Sequence, residues 1–205
     1  MPRARTFAAL VVLVTQGIAS VAGADIVCPD SSYCTVSFTN PAKDRITIGP
    51  FFGDTFAGTG ITIRVFLKNC QGQPLVGVPF QEIVLFNSGL CICPGGNTSD
   101  AATDLNGMTT FSGTIHGGGC VNSLQVFADG VGICSLAVKT NSWDALPSSP
   151  CFVDAGDLAA LSARLGSSAI PPVGMYSICF DWNEDGFIDA GDVASFASPL
   201  GQSCQ

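Results

Sequence analysis

Histidine is nearly missing from this chain: 205 residues contain one, His116, within Ile115-His116-Gly117-Gly118-Gly119. General acid–base and nucleophilic catalysis lean on positioned histidines or on nucleophiles activated by a neighbour. No Gly-x-Ser-x-Gly elbow, no phosphate-cradling Gly-rich loop with Lys and no His-Glu-x-x-His helix takes their place. His116 therefore reads as a turn residue. Paired carboxylates could still cleave a glycoside, but the acids are concentrated in one loop where a cation would occupy them. The expectation is a protein without catalytic activity.

Basic residues are also scarce, 8 against 16 acidic ones. Two of the eight, Arg3 and Arg5, open a leader that continues through an apolar run over 7–14 and ends in Ala22-Gly23-Ala24. That order is a secretory signal peptide, expected over 1–24. Without it the net charge is −10, which repels nucleic acid and anionic lipid and suits a cation. Long apolar runs are missing as well: no later stretch reaches the roughly 18 residues that a spanning helix needs. Val27 precedes Cys28, where lipid attachment would need a small residue, so simple export is expected. The destination is extracellular or the cell surface.

Cysteine, by contrast, is abundant. Ten residues, Cys28, Cys34, Cys70, Cys91, Cys93, Cys120, Cys134, Cys151, Cys179 and Cys204, fit an oxidising compartment and disulfides. Zinc would want paired C-x-x-C elements; Cys91-Ile92-Cys93 is too tight for the usual ligand pair. Connectivity is open, since ten cysteines allow roughly a thousand pairings. Parity still constrains it. Seven cysteines precede residue 141 and three follow it, so full oxidation forces at least one bridge between the two parts. Cys179 and Cys204 could close the C-terminal part, leaving Cys151 for the rest.

Residues 25–140 carry strand signals, with short β-branched and aromatic runs bounded by Gly, Pro, Asn and Asp and no helical period. Ile61-Thr62-Ile63-Arg64-Val65-Phe66-Leu67-Lys68 alternates, placing Ile61, Ile63, Val65 and Leu67 on one buried face. Further runs occupy 78–86, 108–115, 124–129 and 131–138, and Asp129-Gly130 suits a two-residue hairpin turn. A β-sandwich accounts for this pattern. Asn97-Thr98-Ser99 is formally a glycosylation acceptor and otherwise a plain loop.

Three segments carry a family resemblance: Leu67-Lys68-Asn69-Cys70-Gln71-Gly72-Gln73-Pro74, then Val76-Gly77-Val78-Pro79-Phe80, then Thr103-Asp104-Leu105-Asn106-Gly107-Met108-Thr109-Thr110-Phe111. Over about 60–140 the chain resembles bacterial Ig-like domains of the invasin and intimin type. The resemblance implies an Ig-like β-sandwich serving as an extracellular spacer or adhesive module. The extra cysteines and the Phe- and Gly-rich stretch over 50–60 depart from that pattern.

Residues 141–150 have the composition of a linker, with Asn141, Ser142, Pro147, Ser148, Ser149 and Pro150. Beyond them lies Asp181-Trp182-Asn183-Glu184-Asp185-Gly186-Phe187-Ile188-Asp189-Ala190-Gly191-Asp192. Calcium takes six to eight oxygens, and a twelve-residue loop supplies them from positions 1, 3, 5, 7, 9 and 12 around a Gly at 6. Those positions hold Asp181, Asn183, Asp185, the Phe187 carbonyl, Asp189 and Asp192, with Gly186 at the turn. Calcium binding is the expectation.

Phe152-Val153-Asp154-Ala155-Gly156-Asp157-Leu158-Ala159 recurs 35 residues later as Phe187-Ile188-Asp189-Ala190-Gly191-Asp192-Val193-Ala194. Leu158, Leu161 and Leu165 in one copy, and Val193, Phe196, Ala197 and Leu200 in the other, recur at helical spacing. Asp154 and Asp189 are placed as N-caps, and Gly166 and Gly201 where each helix should stop. Such short helices must bury their stripes against each other.

This loop–helix pair, about 142–204, resembles the dockerin domain, which plugs into a cohesin. The second repeat matches at all six ligand positions, at Ile188 in position 8 and at Asp192 in position 12. The first departs: counting back from Asp157 puts Leu146, Ser148 and Pro150 at positions 1, 3 and 5, so one calcium is expected rather than two. A small insertion would bring in Asp144, against which Pro147 and Pro150 argue. Dockerin contacts at positions 10 and 11 fall here on Ala155-Gly156 and Ala190-Gly191, which are small and offer no side-chain hydrogen bond.

The sequence thus reads as a signal peptide (1–24), an Ig-like β-sandwich (25–140), a linker (141–150) and a small α-helical dockerin-like module (151–205). The expected role is attachment to a cohesin-like or other surface protein. In the alternative, calcium and disulfides merely stabilise the end of a structural or adhesive surface protein.

Overall fold

A computed structural model describes residues 26–40, 43–146, 151–170 and 172–204. The leader expected at 1–24 and the linker residues 147–150 lie outside them. The fold is mainly β, 34% strand against 13% helix, with several antiparallel sheets. The alternating segment forms β3 (Ile61–Phe66), central in an antiparallel sheet between β1 (Tyr33–Phe38) and β6 (Met108–Phe111). Ile61, Ile63 and Val65 are buried and Arg64 is exposed, so one face supplies core and the other meets water.

A second antiparallel sheet orders β4 (Ile83–Phe86), β8 (Leu124–Ala128) and β9 (Val131–Leu136). Asp129 and Gly130 join β8 to β9 with φ of 50° and 74°, the left-handed pair that a twisted hairpin turn demands. Ile83, Leu85, Leu124 and Val126 share one core with Ile61, Ile63 and Val65 of the first sheet. The bridge Cys34–Cys134 joins β1 to β9.

Two local expectations change. Of the run over 78–86 only the last four residues are a strand, because Phe80–Glu82 wind into a single 3₁₀ turn after Pro79. A one-turn helix, α1 (Phe56–Thr59), interrupts the β-rich part; Thr55 caps it by accepting from Gly58 N–H at 2.9 Å, and Phe56 is buried. Four residues are too few to leave a period in the sequence.

Two further pairs lie towards the C-terminal part. β5 (Leu90–Ile92) pairs antiparallel with β7 (Gly117–Gly119), and β2 (Arg45–Ile48) pairs parallel with β10 (Lys139–Ser142). Glycine is required in β7 by close approach, since a Cβ on Gly117 would strike the Cys91 carbonyl and one on Gly118 the Asp144 carboxylate. His116 is accordingly not in a turn: its carbonyl accepts from Cys93 N–H at 2.9 Å and its N–H donates to the Gly96 carbonyl at 2.8 Å. The expected linker also begins differently. Asn141, Ser142 and Asp144 are fully buried, because β10 pairs with β2 instead of running free.

At the C-terminal end stand α2 (Ala155–Ser162) and α3 (Ala190–Phe196), with the short pair β11 (Ser168–Ala169) and β12 (Pro172–Val173) between them. Asp154 and Asp189 cap the helices, each completing a capping box with Asp157 or Asp192. The repeats pair reciprocally. Ile188 N–H donates to the Ser167 carbonyl and its carbonyl accepts from Gly166 N–H; Val153 makes the same two bonds with Gln202 and Gly201. Gly166 and Gly201 do this at φ of 82° and 83°, a few residues beyond the helix ends. Val153, Leu161, Phe180, Trp182, Ile188 and Phe196 form a second core.

Five disulfides use all ten cysteines. Parity required at least one bridge between the two parts, and there are three: Cys91–Cys151, Cys93–Cys204 and Cys120–Cys179. The suggested closure of Cys179 on Cys204 is wrong. Cys179 pairs instead with Cys120 and Cys204 with Cys93, while the repeats hold each other by backbone pairing. Bridges spanning 59 to 111 residues restrict the unfolded chain strongly, by roughly 4–5 kcal/mol each in the chain-entropy account. The disulfides are compatible with an extracellular protein, and among the described residues no helix is long and apolar enough to cross a membrane.

Peptide mapping of the unreduced protein should recover the three inter-part links and no peptide joining Cys179 to Cys204. Ile63→Ala should lower the unfolding free energy by about 3 kcal/mol in denaturant titration, the usual cost of emptying a fully buried aliphatic site.

Candidate metal centre

The loop 181–192 is wound by its own side chains. Asn183 Oδ1 accepts from Asp185 N–H at 3.1 Å, and Asp185 Oδ1 accepts from Phe187 N–H at 2.8 Å. Glu184 and Gly186 take φ of 60° and 86°, which makes the sharp turn where the loop pattern places glycine. At the far end Asp189 Oδ1 accepts from Gly191 N–H at 2.7 Å. Asp192, fully buried, accepts from Trp182 N–H at 2.7 Å through Oδ1 and from Asp189 N–H at 2.9 Å through Oδ2. Burial pushes the Asp192 carboxyl up from its ordinary value, against the pull of those backbone donors.

Asp181, like Asp192, has no exposed surface. Its Oδ2 accepts from the Tyr176 hydroxyl at 2.6 Å and from Gly186 N–H at 3.2 Å. Its Oδ1 is buried without a partner. A buried carboxylate oxygen left unpaired is costly, and it is the kind of atom a hard cation satisfies. The donor set, five side-chain oxygens and a carbonyl, has calcium's chemistry. The ligands are not gathered at one point, however. Among the described residues, no three of the carboxylates of Asp181, Asp185, Asp189 and Asp192 lie within 4.8 Å of one another. Asn183 Nδ2 donates to Asp185 Oδ2 at 2.8 Å, while Asp192 is held by the N–H groups of Trp182 and Asp189 and the Asp189 carboxylate by that of Gly191. The burial of Tyr176, reinforced by the bond to Asp181, pushes its phenol up to about 12, so it stays a donor.

The β-rich part supplies residues that the loop pattern could not name. Arg45 Nη2 lies 3.6 Å from Asp181 Oδ2, and its Nε lies 3.8 Å from Glu184. Asn141 Nδ2 donates to the Asp181 carbonyl at 3.1 Å, and Trp182 Nε1 donates to the Ser142 carbonyl at 3.2 Å. Arg45 is 136 residues from Asp181, and nothing local in the sequence marks it.

The first repeat uses Asp144 in the place that Asp181 has in the second. Asp157 accepts from Leu146 N–H at 3.0 Å and from Asp154 N–H at 3.0 Å, as Asp192 does from Trp182 and Asp189. Asp144 is fully buried, and its Oδ1 likewise lacks a partner. The chain from Asp144 to Asp157 is two residues longer than that from Asp181 to Asp192, so the insertion that the prolines argued against does occur. Among the described residues no arginine or lysine pairs with Asp144. Its Oδ2 accepts from Phe152 N–H at 3.2 Å, beside the Cys91–Cys151 bridge. Burial first, and the charge of Asp157 second, push its carboxyl up to about 7.

No family model and no curated protein matches the chain.

Asp144 makes stability depend on pH. Its carboxyl ionises near 3.8 in the unfolded chain and near 7 in the folded one. Between those values the folded protein holds a proton that the unfolded chain has lost. Its contribution, on the order of 4 kcal/mol, is thus fully present below about pH 4, falls as pH rises, and is gone above about 7. In chelator-containing buffer, Asp144→Asn should flatten this decline and be the more stable protein at pH 8. Urea unfolding at pH 4.5 and pH 8 measures both.

Proposed function

We propose that this chain is an exported, non-catalytic calcium-binding protein. In this reading an Ig-like β-sandwich carries a dockerin-like loop–helix pair, which attaches it to a cohesin-like or other surface protein. The carrying observation is the unpaired, fully buried Oδ1 of Asp181, at the head of a loop whose other ligand positions are all oxygen donors. Asp181, Asn183, Asp185, the Phe187 carbonyl, Asp189 and Asp192 would hold the ion. Its charge would draw these carboxylates closer together. Half-buried to exposed Leu165, Val193 and Leu200 give the helical pair an apolar outer surface for a partner.

The second reading, in which calcium and disulfides only brace the end of an adhesive or structural protein, draws on the three bridges to the β-rich part. A pair so fastened cannot swing open as a calcium sensor does. For either reading, calorimetric titration of the chelator-treated full chain should give one equivalent of calcium. Affinity should lie between about micromolar and millimolar, and Asp181→Ala or Asp192→Ala should abolish binding. Two equivalents would assign an ion to the first repeat as well. A cohesin panel with and without calcium separates the readings. Calcium-dependent capture supports attachment, whereas a rise in thermal stability with no capture leaves the brace.

A further inference from the structure

The two oxygens of Asp181 have unlike surroundings. Oδ2 receives the Tyr176 hydroxyl, the Gly186 N–H and, at 3.6 Å, the Arg45 guanidinium; Oδ1 receives nothing. Arg45 enters from β2, in the other part of the molecule, and its side chain is 15% exposed. Its Nη1 also donates to the Asp181 carbonyl at 3.4 Å, and its Nε reaches Glu184. One fixed cation thus serves the loop's first ligand, that ligand's backbone and the acid at position 4. Lys43, much more exposed, meets Glu184 alone at 3.8 Å.

Resting on the calcium reading above, we infer that Arg45 is a tethered counter-cation that competes with calcium for the field of Asp181 and Glu184, lowering the site's affinity and holding the loop when calcium is scarce. A buried carboxylate without a countercharge is strongly destabilising, so a metal-free loop needs such a group. To a divalent ion held by Asp181, the same guanidinium would be a like charge in a poorly screened setting. It repels the ion it stands in for. A guanidinium cannot shed its proton to relieve this, as an ammonium can. Calcium binding and the docking of the loop on β2 are therefore linked through one residue, and the affinity of the site is set by the β-rich part. A purely orienting arginine would have the opposite sign, because its removal would loosen Asp181 and weaken binding.

The sign of the effect is the test. Full-length wild type, Arg45→Gln and Lys43→Gln are stripped with chelator and titrated with calcium by calorimetry, and each is melted in chelator and in saturating calcium. Arg45→Gln should bind one equivalent with a Kd roughly tenfold lower than wild type, after solvent screening. It should melt below wild type in chelator and recover in calcium. Lys43→Gln should shift Kd by less than about twofold. If Arg45→Gln does not fold, Arg45→Met, which fills the space without the charge, takes its place. A Kd unchanged or raised in the charge-free variant, while wild type binds, overturns the inference and leaves the calcium site standing. No binding by either protein removes the calcium reading, and this inference with it.

Discussion

Helices of eight and seven residues are too short to persist in water, and the C-terminal part depends on how that deficit is met. Reciprocal backbone pairing comes first. Each loop's central aliphatic, Val153 or Ile188, exchanges two hydrogen bonds with the glycine turn after the other helix, which seats both aliphatics in one small core. That core is still small, with Trp182 stacked on Phe196 and also against Phe180 and Trp143. Fastening to the β-rich part completes it. Three disulfides run to Cys91 in β5, to Cys93 just after it and to Cys120 just after β7. Together with the Trp182 indole bond to Ser142 and the Asn141 amide bond to the Asp181 carbonyl from β10, they fix the helical pair against the β-rich part.

The same packing buries a carboxylate at the head of each loop, and the two loops meet that problem differently. Asp181 has a phenol, a backbone N–H and a guanidinium on one oxygen, and its other oxygen is open to a cation. Asp144 has one backbone donor and two acidic neighbours, so it holds a proton to near neutrality instead. Repeats that are alike from Phe152 and Phe187 onward therefore carry unequal electrostatics. The difference comes from both sides: Tyr176 and Gly186 serve Asp181 while Asp154 and Asp157 crowd Asp144. The β-rich part in turn presents an arginine from β2 to the one and a glycine strand and a disulfide to the other.

Rigidity bears on function. A calcium sensor works by letting a helix pair change its angle. A pair tied down at Cys151, Cys179 and Cys204 has little freedom to do so, and an ion bound as proposed would act on the loop's own order and on stability. Recognition of a partner would then fall to the fixed outer faces of the helices.

Much of this was legible along the chain, because it depends on neighbours. The alternation of β3, the Asp129-Gly130 turn, both capping boxes and the order of oxygen donors around Gly186 are local patterns set by backbone geometry. Cysteine parity showed that the two parts must be joined, yet parity counts bridges and cannot place them. Tertiary structure decided the rest, since each remaining feature joins residues far apart in sequence. The pairing of β2 with β10 turned an apparent linker into a buried strand. Packing against the glycines of β7 brought Asp144 into the first loop, and β2 carried Arg45 to Asp181 across 136 residues. Local order could set the run of oxygen donors along the loop; only the fold could supply the guanidinium that faces Asp181.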